Sequence, residues 1–151
     1  MNGSGEIELY APVDQVWSKL MDPEVLADCI LGCNKLELIG ENKYRADLSV
    51  GIAAVKGKYD ATIELADVQA PHSYKLIMHG EGVPGFLDAE GLLQLTPLDE
   101  GRTLLSYNYN ADVGGKVAAI GQRMLGGVAK LIIGDFFKKL KKEIEKGQQS
   151  A

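Results

Sequence analysis

The stretch Gly114–Gly147 reads GGKVAAIGQRMLGGVAKLIIGDFFKKLKKEIEKG, and its length limits the folds open to the chain. Apolar residues recur along it at helical spacing, so it is expected to form one long helix. At about 1.5 Å per residue such a helix matches or exceeds the width of a small domain. It must therefore lie across whatever the preceding residues build. Gly121, Gly126, Gly127 and Gly134 interrupt it. A glycine inside a helix costs about 0.5–1 kcal/mol relative to alanine, so the group calls for a reason. Close approach to a ligand or to the sheet is one, and helix flexing is another. A long helix with small residues beside a sheet leaves space that large side chains do not fill, which points to a container.

The preceding residues read as strands. Glu6 to Tyr10 alternates, and Ala11-Pro12 breaks it before Val13, Val16, Trp17 and Leu20 recur at helical spacing. Asp22-Pro23 opens a second short helix, with Asp as N-cap and Pro at the first helical position, ending near Cys29 before Gly32. Six strand-like segments follow: 35–39, 43–50, 55–68, 73–81, 86–96 and 102–111. Gly40-Glu41-Asn42, Ala70-Pro71-His72, Gly82–Gly85 and Pro97–Gly101 supply the turns. Adjacent alternating strands with tight turns make an antiparallel meander with one wet and one buried face.

Residues 1–147 are thus expected to form one α+β domain. A curved seven-stranded antiparallel sheet and two short helices wrap a long C-terminal helix, and 148–151 form a short polar tail. Alternation places Ala46, Leu48, Val50, Ala61, Ile63, Leu76, Met78, Leu87, Ala89, Leu93, Tyr107 and Tyr109 on the inner face, with Gly91 among them. Several are small, so an underfilled apolar cavity is expected there; a tightly packed core is the competing reading. From the long helix Val117, Ile120, Gly121, Met124, Val128 and Leu131 are the candidates to face it. Their spacing also reads as ordinary core.

Composition narrows the function. The 151 residues carry a formal charge of −5, which argues against general phosphate-backbone binding. No apolar run reaches transmembrane length, and no signal-peptide pattern opens the chain, so a cytoplasmic protein is expected. Cys29 and Cys33 have neither redox nor zinc spacing, and His72 and His79 complete no metal pattern. No metal site and no catalytic constellation is therefore assigned. Asp88 and Glu90 share a face, but the outer one. Asp47 and Asp60 would need the opposite face to do buried acid–base work. Phe136 to Lys142 forms a basic amphipathic helix end that suits weak attraction to an anionic membrane. Lysines there also complement the helix dipole.

Three stretches resemble the CoxG family, named for a subunit of carbon monoxide dehydrogenase, within the helix-grip superfamily of START domains, the birch-pollen allergen and polyketide cyclases. They are APVDQVWSKLMDPEVLADCI, VKGKYDATIEL and VGGKVAAIGQRMLGGVAKLIIGDFFKKL. The likeness spans roughly Gly5 to Lys146. Leu31-Gly32 stands where many relatives have Pro-Gly. Many relatives also carry a longer tail ending in an apolar segment, so stable anchoring by such a tail is not expected here.

The resemblance implies a helix-grip fold enclosing an apolar cavity. It also implies an accessory protein that binds a lipophilic quinone, menaquinone or another lipid, for a molybdenum-containing carbon monoxide dehydrogenase or related hydroxylase. No intrinsic cofactor is expected, and the absence of a catalytic constellation in the residues leads to the expectation that the chain is not an enzyme. The accessory protein so implied works in the cytoplasm or peripherally at the inner membrane face. Burial of an isoprenoid tail gains about 25 cal/mol per Å². A quinone carbonyl would accept a hydrogen bond from Tyr107 or Tyr109, and Phe86 would sit at the lip of the cavity. A cyclase or hydrolase of the same fold, and an assembly factor without a ligand, are the alternatives.

Overall fold

The computed structural model describes the backbone of residues 1–149 and the side chains of residues 1–146. The chain runs β1 (Asn2–Leu9), α1 (Val13–Leu20), α2 (Pro23–Cys29), β2 (Cys33–Gly40), β3 (Lys43–Val50), β4 (Gly57–Gln69), β5 (Ser73–Gly82), β6 (Gly85–Asp99), β7 (Arg102–Gly114) and α3 (Gln122–Gln149). Short 3-10 turns at Ala53–Val55 and Lys116–Ile120 lead into β4 and α3. Gln148 and Gln149, half of the expected polar tail, continue α3, and residues 150–151 lie outside the described residues.

All seven strands form one antiparallel sheet in the order β1-β7-β6-β5-β4-β3-β2. The strands run longer than their sequence signals, because β1 starts at Asn2 and β6 and β7 continue to Asp99 and Gly114. Val55 falls in a 3-10 turn rather than at the start of β4. Asp22 caps α2, its carboxylate accepting from Glu24 N at 2.9 Å. That satisfies one of the helix's orphan donors.

The expected single helix from Gly114 is two pieces. β7 extends to Gly114, Gly115 and Gly121 adopt φ +81° and +92°, and α3 begins only at Gln122. Side chains rarely take such φ values, so the two glycines bracket the 3-10 turn and set the entry angle of α3. The helix still has 28 residues, about 42 Å of rise.

Packing is concentrated at one end. Leu9, Ala11, Val16, Leu20, Val25, Cys29, Leu95, Leu105, Phe137, Leu140 and Ile144 form one buried cluster that joins α1, α2 and the second half of α3 to β1, β6 and β7. Tyr44, Leu65 and Tyr74 form a second, to which Trp17 adds an edge-on contact with Tyr74 at 5.7 Å. Burial in this end pushes the Tyr74 phenol up strongly and the Cys29 thiol up to about 11, so that thiol stays protonated and inert.

Thr103 is the polar member of this end, fully buried, its hydroxyl donating to Ala11 O at 2.8 Å where the chain leaves β1 for α1. Thr103→Val keeps the shape and orphans that carbonyl. It is expected to lower the unfolding free energy by about 1–3 kcal/mol, measured by urea denaturation; an unchanged midpoint would show that the bond contributes nothing.

Candidate functional site

Strand register fixes the faces. Tyr44, Ile63, Met78, Ala89 and Ala111 are directly opposed across β3 to β7, as are Ala46, Ala61, Gly80, Leu87 and Val113. The next rows are Leu65, Leu76, Gly91, Tyr109 and Gly3, then Tyr74, Leu93, Tyr107 and Gly5. Leu48 pairs with Tyr59, and Val50 with Gly57. Directly opposed residues share a face, so the expected inner-face residues do lie together on the side that carries the helices.

Their burial divides the sheet. Ala46 and Ala61 are buried, whereas Leu48, Val50, Ile63, Leu76, Met78, Leu87, Ala89, Leu93, Tyr107 and Tyr109 are only half-buried. α3 rests mainly on α1, α2 and β1. The rows are mixed: Tyr44, Leu65, Gly80 and Ala111 are buried among these half-buried neighbours, whereas the cluster beyond Leu95 and Leu105 is sealed throughout. Apart from tyrosines, these rows contain no ionisable side chain.

Tyr107 and Tyr109 lean over the neighbouring strand. A Cβ at Gly5 or Gly3 of β1 would collide with their hydroxyls, so these two glycines make room for the phenols. Tyr107 also packs on Phe137 at 5.2 Å, and its phenol is raised by burial and then by Tyr109. Neither hydroxyl bonds to another group among the described residues, leaving two donors for water or a ligand. Tyr59, which the sequence leaves out of the site, also faces inward. Its hydroxyl donates to Val55 O at 2.5 Å and ties the 3-10 turn to β4.

On α3 the core stripe differs from the expected one. Leu125, Phe137, Leu140 and Ile144 are buried, with Ile133 and Phe136 packed against the core. Met124 and Leu131 lie on the opposite side of the helix at 56% and 57% exposed, so their assignment to the core is corrected. The stripe from Leu125 to Ile144 stays apolar for five turns, whereas the one through Met124 and Leu131 runs into Lys138 and Lys142. Val128 is half-buried, Val117 is buried beneath the β5–β6 turn and Ile120 is half-buried. Phe136 and Phe137 serve the core, so the expected basic amphipathic end has no free aromatic face, and its Lys139 pairs with Asp135 at 2.8 Å.

The helix glycines are not in close contact with the sheet. A Cβ at Gly121, Gly126, Gly127 or Gly134 would meet nothing within 4 Å. Phe86 lies on the outer face, 44% exposed, with its ring over Gly114. Outside the sheet are two polar depressions. One of about 440 Å³ is bordered by His79, Asp88, Glu90, Asn110 and Asp112, and one of about 320 Å³ by Glu6, Gln94, Ser106 and Asn108. In the first, His79 Nδ1 meets Asp88 Oδ1 at 2.5 Å, and the carboxylates of Asp88 and then Glu81 raise the imidazole. Asp60 is outer as well, in a two-pronged pair with Arg45. Among the described residues no group of three His, Cys, Asp or Glu is placed to hold a metal, and no helix is long and apolar enough to cross a membrane.

Residues 5–145 match the family model for CoxG, a subunit of carbon monoxide dehydrogenase. A conserved protein from Geobacillus kaustophilus is 65% identical in its crystal structure, with 97% of this chain and 96% of that one covered and a TM-score of 0.95. A START superfamily protein from Mycobacterium smegmatis shares the fold at 15% identity (TM-score 0.76, 96% and 97% covered). So does the Zhui aromatase/cyclase from Streptomyces sp. R1128 at 18% (TM-score 0.70, 97% and 94% covered). No curated protein matches the chain.

Open space around the exposed glycines gives a direct test. Gly127→Ala and Gly134→Ala are each expected to stabilise the protein by about 0.5–1 kcal/mol, while Gly121→Ala, at φ +92°, destabilises it. Thermal unfolding checks both signs. Loss of stability at 127 or 134 would show that these glycines meet a neighbour.

Proposed function

The chain belongs to the CoxG family of carbon monoxide dehydrogenase subunits, and we propose that it binds a hydrophobic small molecule against the inner face of its sheet without transforming it. The observation that carries this reading is the burial contrast. Met78, Leu87 and Ala89 are on the helix side of the sheet yet stay half-buried and belong to neither core cluster, beside one that is fully sealed. Leaving such apolar surface in reach of water forgoes about 25 cal/mol per Å², which a ligand would recover.

A quinone with an isoprenoid tail, such as menaquinone, fits both chemistries of the site. The tail matches the aliphatic rows, and a carbonyl oxygen of the headgroup would accept from the Tyr107 or Tyr109 hydroxyl. The protein then acts as a carrier for a carbon monoxide dehydrogenase-type molybdenum enzyme, the association that the family name suggests. Electrons in such a cycle would reside on the ligand and the enzyme. The same fold serves a cyclase and a norcoclaurine synthase from Thalictrum flavum. Proton-transfer chemistry in this lining would have only phenols and the Cys33 thiol opposite Leu48 to draw on, so binding is the better-supported role.

Ala89→Trp tests the site. Ala89 lies between Met78 and Ala111 on the inner face, and an indole there would occupy the proposed ligand volume. Displacing about 60 Å² of contact costs about 1.5 kcal/mol, or tenfold in affinity. Uptake of a menaquinone analogue from detergent, scored by native mass spectrometry, should fall by at least that factor. Unchanged uptake would place the ligand elsewhere, and no uptake by the parent protein would remove the reading.

A further inference from the structure

Charge is spread unevenly along this chain. Residues 48–59, 82–87 and 113–134 contain Lys56, Lys58, Lys116, Arg123 and Lys130 and no carboxylate, in a protein of formal charge −5. The fold brings Lys56, Lys58, Lys116 and Arg123 of these segments to one end, while Lys130 lies about two turns further along α3. Val117 N donates to Pro84 O at 2.9 Å, and the two 3-10 turns touch. A Cβ at Gly57 would strike Pro84, and one at Gly85 would strike Val117. This pole is at the end of the sheet away from the sealed cluster.

The same pole carries prominent exposed apolar groups. Val83 is 89% exposed at the tip of the β5–β6 hairpin, and Met124 is 56% exposed at the start of α3. Ala53, Ala118 and Ala119 are exposed on the adjoining turns. The nearest carboxylates, Asp47, Asp60 and Glu81 in one row and Asp88 and Asp112 two residues further, all sit on the outer sheet face, with Asp60 paired to Arg45 and Asp88 to His79.

We infer that this pole docks on an anionic lipid bilayer, with Val83 seated among the headgroups and Lys56, Lys116 and Arg123 over lipid phosphates. A small apolar tip backed by cations suits that interface, where burial and attraction to anionic lipid add. A protein partner has little to recognise, because Val83-Pro84 joins Gly82 to Gly85 without a polar side chain. The lysines at 138–142 are a poorer candidate. They lie towards the sealed end, with Lys139 paired to Asp135 and with Glu143 and Glu145 beside them. The purpose of docking, exchange of a water-insoluble ligand with the membrane, rests on the reading in the preceding subsection. The surface itself rests on charge and exposure.

The test is flotation of the full chain with phosphatidylcholine vesicles, with and without phosphatidylglycerol, alongside ligand uptake from detergent. The parent protein should float with the anionic vesicles only and detach as salt rises. Neutralising Lys56, Lys116 and Arg123 together to Gln should weaken binding on the order of 100-fold, at about fivefold per charge. Val83→Asp, at a position 89% exposed, should also weaken it, whereas Lys141→Gln with Lys142→Gln should not. The inference is overturned if the parent ignores anionic vesicles, if the triple variant binds as well as the parent, or if the 141/142 variant alone loses binding. Cross-linking of a Val83→Cys probe to an acidic protein, without vesicle binding, would overturn it in favour of a protein partner. Lost flotation with intact uptake overturns docking alone, and lost uptake with intact flotation overturns the ligand reading alone.

Discussion

The structure depends on a core built at one end rather than along the whole sheet. Leu140 and Ile144 from α3, Val16 and Leu20 from α1, and Leu9, Leu95 and Leu105 from the strands close on one another there with almost no exposure. Burying a side chain of this size is worth about 1.5–3 kcal/mol. A cluster of them anchors α3 by its second half, so its first half does not have to pack tightly on the strands.

Small residues reinforce that division. Ala46, Ala61, Gly80, Ala89, Gly91 and Ala111 occupy the middle of the inner face, where their side chains add little volume. Gly3 and Gly5 on β1 leave space for Tyr109 and Tyr107 to lie across the edge strand. The charged pairs of the sheet, including His79 with Asp88 and Arg45 with Asp60, are on the outer face. The lining thereby remains apolar except for phenols and the Cys33 thiol, the chemistry expected of a site that holds a greasy molecule by one polar end.

Much of this was legible in the residues. Period-2 alternation with Gly- and Pro-bearing turns defines β3 to β7 and their inward rows, because a one-residue slip would move every apolar side chain to the wet face. Asp22-Pro23 marks α2 without ambiguity. The start and phase of α3 were not legible. Gly115 and Gly121 look like interruptions of a helix until their positive φ values are seen. Met124, Val128 and Leu131 make as good a short stripe as Leu125, Ala129 and Ile133; only the continuation to Leu140 and Ile144 separates them. The carboxylate-free pole was hidden for a different reason, since its three segments are far apart in sequence and only the fold joins them.

The central claim is that the half-buried inner face is a ligand site, and the most direct measurement is native mass spectrometry of protein purified without detergent, with organic extraction of the same sample. A near-stoichiometric adduct whose extracted mass is that of a quinone or another isoprenoid lipid is the expected result. A bare protein that also takes up no menaquinone analogue when one is offered would contradict the account.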